Sequence, residues 1–422
     1  MFGKLKQLIS PSNKDLRKRL YFTLMGLAIF ILGCNITVPW ASVVYEELGF
    51  LEIFNLMSGG GLQHFSIFAL GVTPYITASI ITQLLQMDII PYFKDLKEQG
   101  YTGQQKINKI NRYLGILFAF VQGYIFSIAY LGTGDGLTIL KTTLVITAGT
   151  AFLLWMGDQI TKNGIGNGMS LLIMAGIIKS MPKIFVVAFN GLVTGATFSH
   201  FVGILLFALF ILVYLGIIVG IIWIQLAERR IPMQYANRTN SAYGGRQNFL
   251  PIKLNSAGVI PVIFASTLIT IPVTIAQFLK NQSAIDFVNK YIMYTTTTGF
   301  ILYIFLIFFF GYFYTFLQMN PEEMSKNLNK SGAYIPGVRP GKETTEYLSN
   351  SIGKLTIIGS VFLVIIAGLP ILFSKISQLS SNVTIGGTGL LIVVGVAIET
   401  YKQIESSLVS RSHRRGLRTW KM

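Results

Sequence analysis

The chain has 422 residues, of which 52% are hydrophobic and only 12% charged, and its mean hydropathy is +0.59. Soluble domains carry about 25% charge, and a single water-soluble core stops growing at a few hundred residues, so a soluble globule and a disordered chain are both excluded. The 34 Lys+Arg against 17 Asp+Glu leave a net charge of +17, which in a membrane protein gathers in cytoplasmic loops or marks an RNA or acidic-protein partner.

A basic segment of twenty residues runs into an apolar stretch with no small-residue cleavage site, and reads as a first span rather than a removed signal. A spanning helix needs about 20 apolar residues. Ten such stretches are predicted, near 20–39, 67–88, 113–131, 142–162, 166–187, 202–226, 256–279, 299–318, 355–374 and 386–404. With the N-terminus inside, 28 of the 34 basic residues fall on one side and 6 on the other. That asymmetry predicts both termini in the cytoplasm. Five spans per half would make a second half of the same fold inverted, with a functional centre at the midplane. No repeat is visible in the sequence itself.

Between the first two spans, Phe54–Phe65 reads FNLMSGGGLQHF. It is apolar, too short to span, and broken by Gly59, Gly60 and Gly61. It is either a re-entrant turn or a movable half-helix, since irregular backbone at membrane depth must be buried in protein or line a cavity. In the second span, Val72, Ile76, Ser79, Gln83 and Gln86 recur at helical spacing, aliphatic first and then polar. Either packed helices hydrogen-bond there, or the face lines a water-filled vestibule closed by aliphatic side chains. Lys179 falls off the Ile173/Ile177 face and is expected to snorkel to the interface. In the seventh span, Ser256, Ile260, Ile263, Thr267 and Thr270 share a face, while Pro261 and Pro272 weaken the helix ladder. In the tenth, Ile392 and Glu399 are nearly superimposed; the acid either snorkels or joins the wet funnel.

Chemistry is sparse. Gly337–Lys342 (GVRPGK) lacks phosphate-loop spacing, and His64, His200 and His413 make no metal set with the single cysteine, Cys34. The span centres are nearly free of charge, which disfavours an intramembrane enzyme or an ion-coupled carrier. A passive gated conduit fits, with the long basic loops at 227–254 and 319–354 either carrying orientation charge or docking a driving partner.

Several long motifs occur in order. They are FNLMSGG with SIFALGVTPYITASIITQLL (Ser66–Leu85), WMGDQITKNGIGNGMS (Trp155–Ser170), AGVIPVIFAS (Ala257–Ser266), NPEEMSKNLNKSGAYIPGVRPGKET (Asn320–Thr344) and GGTGLLIVV (Gly386–Val394). Together they closely resemble the SecY/Sec-alpha family of protein-translocation channel subunits, over nearly the whole chain. The resemblance implies an all-α polytopic membrane protein, with ten transmembrane helices in two inverted five-helix halves around an hourglass pore. The halves would be 1–190 and 191–405, followed by a basic tail at 406–422. It implies a pore ring of Val72, Ile76, Ile173, Ile177, Ile263 and Ile392, four of which already lay on the stripes above. It implies a plug near 53–65, including Phe54, Leu56, Met57, Ser58, Gly59, Gly60 and Leu62. Ser79, Gln83, Gln86, Ser256 and Thr267 would line a lateral gate and vestibule, and Arg229, Arg230, Arg246, Arg339 and Lys342 would dock a motor or ribosome. Expected partners are SecE, SecG, the SecA ATPase, the ribosome, signal sequences, unfolded preproteins and lipid, at the bacterial plasma membrane. No cofactor or metal is implied. The alternatives are a small-solute secondary transporter, which needs polar midplane ligands the sequence does not offer, and a poreless scaffold or insertase, which leaves the polar stripe of the second span unexplained.

Overall fold

The computed structural model describes residues 14–40, 52–86, 90–131, 135–194, 200–235, 248–279, 282–293, 296–377 and 386–419. In chain order the elements are α1 (Lys14–Gly33), α2 (Glu52–Met57), α3 (Thr73–Leu85), α4 (Pro91–Glu98), α5 (Tyr101–Leu131), α6 (Gly136–Asn163) and α7 (Gly168–Phe189). There follow α8 (His200–Leu226), β1 (Glu228–Tyr235), β2 (Asn248–Lys253), α9 (Ile260–Leu279), α10 (Gln282–Tyr291), α11 (Thr297–Gln318), α12 (Pro321–Lys330), β3 (Ala333–Tyr334), α13 (Lys342–Ser377) and α14 (Gly386–Thr419).

A helix occupies each of the ten predicted apolar stretches. Among the described residues, α6, α7, α8, α11 and α13 contain windows long and apolar enough to cross a membrane by length and composition alone. The others depart from the expected spans for local reasons. The second span is helical only over the 13 residues of α3, because Gly71 at φ +55 turns the chain and Pro74 opens the helix. Residues 67–72 are turns. The seventh span begins at Ile260, not 256, after a turn in which Asn255 Nδ2 donates to the Gly258 carbonyl. Ser256 therefore lies off the helix. Pro261 sits in the first turn, where its missing N–H costs nothing, so Pro272 is the proline inside this helix. The last helix continues from the tenth span to Thr419, through most of the expected basic tail.

The described residues form two compact units. The first holds α1–α7, the last turns of α9, and α14. Its α5 packs against α3, α4 and α6, while α7 packs against α1, α2, α6 and α14. Asn167 caps α7 by accepting from the Met169 and Ser170 amides, and Arg112 on α5 pairs with Asp158 on α6 at 2.6 Å. The tenth-span helix thus belongs to the same unit as the first five spans, because α14 packs on α7.

The second unit holds α8, most of α9, α10–α13 and a small sheet in the order β2-β1-β3. Both pairings are antiparallel; Arg229 faces Ile252 and Gln234 faces Tyr334 in register. The sheet is the main departure from an all-helical reading of the basic loops. It shares one hydrophobic core with α12 and the start of α13, built from Ile231, Ile252, Leu328, Ala333, Ile335, Leu348, Ile352 and Leu355.

Candidate functional site

The segment that follows α2 is a folded hairpin rather than a loop. The Gly60 amide donates to the Asn55 carbonyl (2.7 Å) and the Gly59 amide to that of Leu56 (3.1 Å). With Gly59 at φ +67, this is a Schellman C-cap, which needs the left-handed conformation that glycine adopts without strain. Ser58 Oγ donates to the Asn55 carbonyl and accepts from the Leu62 amide, and Asn55 Oδ1 accepts from the Gln63 amide. A bridge between Thr37 and Ser66 ties the far end of the hairpin to the chain after α1.

This hairpin is embedded in the first unit. Leu56, Met57, Ser58, Gly59 and Leu62 are buried, and Gly60 is half-buried. It meets α7 at Gly176, where a Cβ would stand 2.6 Å from the Met57 carbonyl oxygen and 2.9 Å from the Gly59 nitrogen. No side chain fits there. Cys34 lies beneath the turn, fully buried, and its thiol donates to the Ser58 carbonyl at 3.1 Å. Phe54 belongs to α2, which carries the hairpin.

Gly176 lies between Ile173 and Ile177, two of the anticipated ring residues, which are one turn apart on α7. Both are buried, at 6% and 2% exposure. On the facing α14, a Cβ at Gly389 would be 2.9 Å from Ile177 Cγ2, and Ile392 follows on the same face, also buried. Val72 caps α3, and the preceding Gly71 abuts Ser58 of the hairpin; Ile76, one turn further, is half-buried. The first unit thus gathers hairpin, Ile173, Ile177 and Ile392 around α7. Ile263 lies in the second unit, half-buried on α9.

On α3, Ser79, Gln83 and Gln86 are half-buried. Gln83 Nε2 donates to Ser79 Oγ (3.3 Å) and Gln86 Nε2 to the Thr82 carbonyl (3.2 Å). The Gln83 Oε1 is buried without a protein partner, as is Asn111 Oδ1 on α5. Polar atoms in that situation are ordinarily bound by water. Ser256 donates to the Lys253 carbonyl, off the α9 face, and Thr267 is half-buried on α9.

The basic residues sit on the sheet lobe. Arg229 and Arg230 are exposed on β1, with Arg230 paired to Glu228 at 2.9 Å. Arg339 lies in the turn before α13 with its side chain 87% exposed, and Lys342 is the exposed first residue of α13. Arg246 lies outside the described residues.

Lys179, expected to snorkel, is half-buried along its stem and exposed at its polar end. Its Nζ donates to Asn35 Oδ1 at 2.8 Å, and its Cδ would lie 3.5 Å from a Cβ at Gly59. Lys183, one turn on, donates to Gln63 Oε1 of the hairpin at 2.7 Å. Both face a cavity of about 150 Å³ beside the hairpin. The i, i+4 pair of lysines near the end of an otherwise apolar span was the available signal.

A polytopic helical membrane protein with a re-entrant hairpin seated on an aliphatic helix face is the architecture of a plugged channel. The SecY family model matches residues 66–401. The chain is 44% identical to the protein translocase subunit SecY of Bacillus subtilis (strain 168), covering 98% of this chain and 99% of that one. It is 40% identical to the subunit of the same name from Staphylococcus aureus (strain NCTC 8325), covering 95% and 96%. Among solved structures, it resembles a protein-conducting channel with TM-score 0.69 and 21% identity, covering 98% of each chain. It also resembles a Sec61 channel from a canine ribosome–channel complex of the endoplasmic reticulum, with TM-score 0.66 and 20% identity over 98% of each. These two establish the fold. The chain belongs to the SecY family, and it is a pore-forming protein translocase subunit.

Proposed function

We propose that this chain forms the conduit through which unfolded secretory proteins cross the bacterial plasma membrane, with Val72, Ile76, Ile173, Ile177, Ile263 and Ile392 as its constriction and the 53–65 hairpin as its plug. The observation that carries the reading is the seating of the hairpin at Gly176, between two buried isoleucines of the anticipated ring. Branched aliphatic side chains suit such a constriction. They dewet a narrow passage and so block ions. They make no hydrogen bonds of their own, so they deform around whatever side chain passes.

The rest of the assignment follows from charge and polarity. The bias of basic residues supports both termini in the cytoplasm and a cytoplasmic sheet lobe, and five apolar stretches on either side support halves of 1–190 and 191–405. The unpaired Gln83 oxygen supports a wet face along Ser79, Gln83 and Gln86. Thr267 on α9 belongs to the gate through which an apolar segment reaches lipid, where each leucine-like residue gains a few tenths of a kcal/mol. The exposed Arg229, Arg230, Arg339 and Lys342, with Arg246, offer cations to an acidic or RNA surface, which suits the SecA motor and the ribosome as driving partners. SecE and SecG complete the complex, and no catalytic step is assigned to the chain itself.

Crosslinking tests the path. A stalled secretory chain should react with cysteines placed at each of the six ring positions and not with cysteines on lipid-facing positions such as Leu212, 67% exposed on α8. A stalled chain that reacts on the outer face and never at the ring sinks the reading.

A further inference from the structure

The contacts that hold the hairpin against α7 are of an unusual kind. Lys183 reaches Gln63, and Lys179 reaches Asn35 after the end of α1 while its stem lies along Gly59. Each ammonium has three donors and, among the described residues, one neutral amide oxygen as acceptor. The two cations are one helical turn apart, and with Asn35, Asn55, Gln63 and His64 they line the cavity of about 150 Å³. Among the described residues, no carboxylate lines it.

We propose that Lys179 and Lys183 make this cavity a carboxylate site, and that an acidic side chain entering it takes Lys183 from Gln63 and unlatches the plug. The chemistry sets the direction. The ammonium already makes the Lys183–Gln63 bond charge-assisted, which holds the hairpin closed. A carboxylate offers the same hydrogen bond together with the attraction of a full opposite charge, so it takes Lys183 from the amide. The second lysine supplies the charge that makes the exchange favourable. His64 responds to the same field: burial first, then the charges of Lys179 and Lys183, keep its imidazole below the usual range, so it adds no third cation at neutral pH. The ligand class is an acidic peptide segment. The proposal rests on the reading of the hairpin as a plug.

Cys34 is a built-in reporter. It is the only cysteine in the chain, fully buried, and covered by the Ser58 carbonyl of the hairpin. The experiment measures its labelling by a soluble maleimide in the assembled translocase in lipid vesicles. Lys183→Met removes the donor and should label about tenfold faster than the unaltered protein, while Lys183→Arg restores protection. A Glu–Gly repeat peptide should speed labelling of the unaltered protein beyond a Gln–Gly repeat at equal ionic strength, and should add nothing to Lys183→Met. Equal protection in Lys183→Met, with an unchanged melting temperature, overturns the latch. Equal effects of the two peptides overturn the carboxylate site. Crosslinking of a stalled chain to the ring is run on the same preparations. If it persists while either labelling result fails, the channel reading stands and the latch alone falls.

Discussion

The hairpin at 52–71 and the lobe built on β1–β3 are both insertions between spans, and both are folded, but polar and backbone contacts have a larger share in the hairpin. The lobe has its own hydrophobic core, in which Leu348 and Ile352 are 0% and 1% exposed. The hairpin also buries Leu62 and Phe65, at 1% and 0% exposure, but adds a Schellman turn, hydroxyl and amide hydrogen bonds within itself, and backbone seated against one glycine of α7. Burial of aliphatic side chains is released only by unfolding. Hydrogen bonds contribute about 1 kcal/mol each and are exchanged readily for others. The first construction suits the docking platform proposed for the lobe, and the second suits the movable plug proposed for the hairpin.

Two substitutions should separate them. Leu348→Ala empties a closed core and should cost about 2–5 kcal/mol, seen as rapid proteolysis within the lobe, with Cys34 still protected from maleimide. If Cys34 becomes reactive as well, lobe and hairpin are not independent. Gly176→Val is the converse. Its side chain would meet the Met57 carbonyl, and overpacking of this kind costs about 1–3 kcal/mol, here relieved by lifting the hairpin. Resting ion leak across vesicles should rise about tenfold, with lobe proteolysis unchanged. An unaltered leak would mean that the hairpin does not seal.

The two regions were also unequally legible. The ten apolar stretches and the stripe from Val72 to Gln86 follow from hydropathy and helical period, which report only on burial along one chain segment. Gly59–Gly61 announced the turn for the same local reason. What was hidden depends on contacts distant in sequence. Cys34 meeting Ser58, Lys183 meeting Gln63 and Gly176 meeting Met57 each join a residue of a span to the hairpin between spans. The β-hairpin was missed because Arg229 and Arg230 read as orientation charge or a docking surface, and prolines at 232 and 251 weaken the local strand pattern. Ser256 was misplaced because the 3.6-residue period was extended across Gly258, which ends it.

A smaller perturbation probes the ring without touching the hairpin. Ile392→Asn puts an amide on a buried aliphatic face, at about 1–3 kcal/mol. A constriction that no longer dewets should leak ions a few-fold more at rest and accept weaker signal sequences. Assembly with partner subunits should be unaffected. Reconstituted vesicles with unchanged leak and unchanged signal stringency would remove Ile392 from the ring.

The least costly change tests the lobe as a surface. Arg339 is 87% exposed, with its guanidinium 3.9 Å from Glu343, whose other oxygen accepts the Arg339 amide at 3.3 Å. Arg339→Glu exchanges that ion pair for two nearby carboxylates. At such exposure, water screens both, so folding should change by no more than about 0.5 kcal/mol. Docking is another matter, because a reversed charge at an interface opposes a partner of fixed potential. Motor-driven or ribosome-driven transport should therefore fall severalfold at constant melting temperature, and the loss should shrink as salt is raised. Transport that is unchanged would take Arg339 out of the docking surface, and a large fall in melting temperature would give it a part in the lobe's folding.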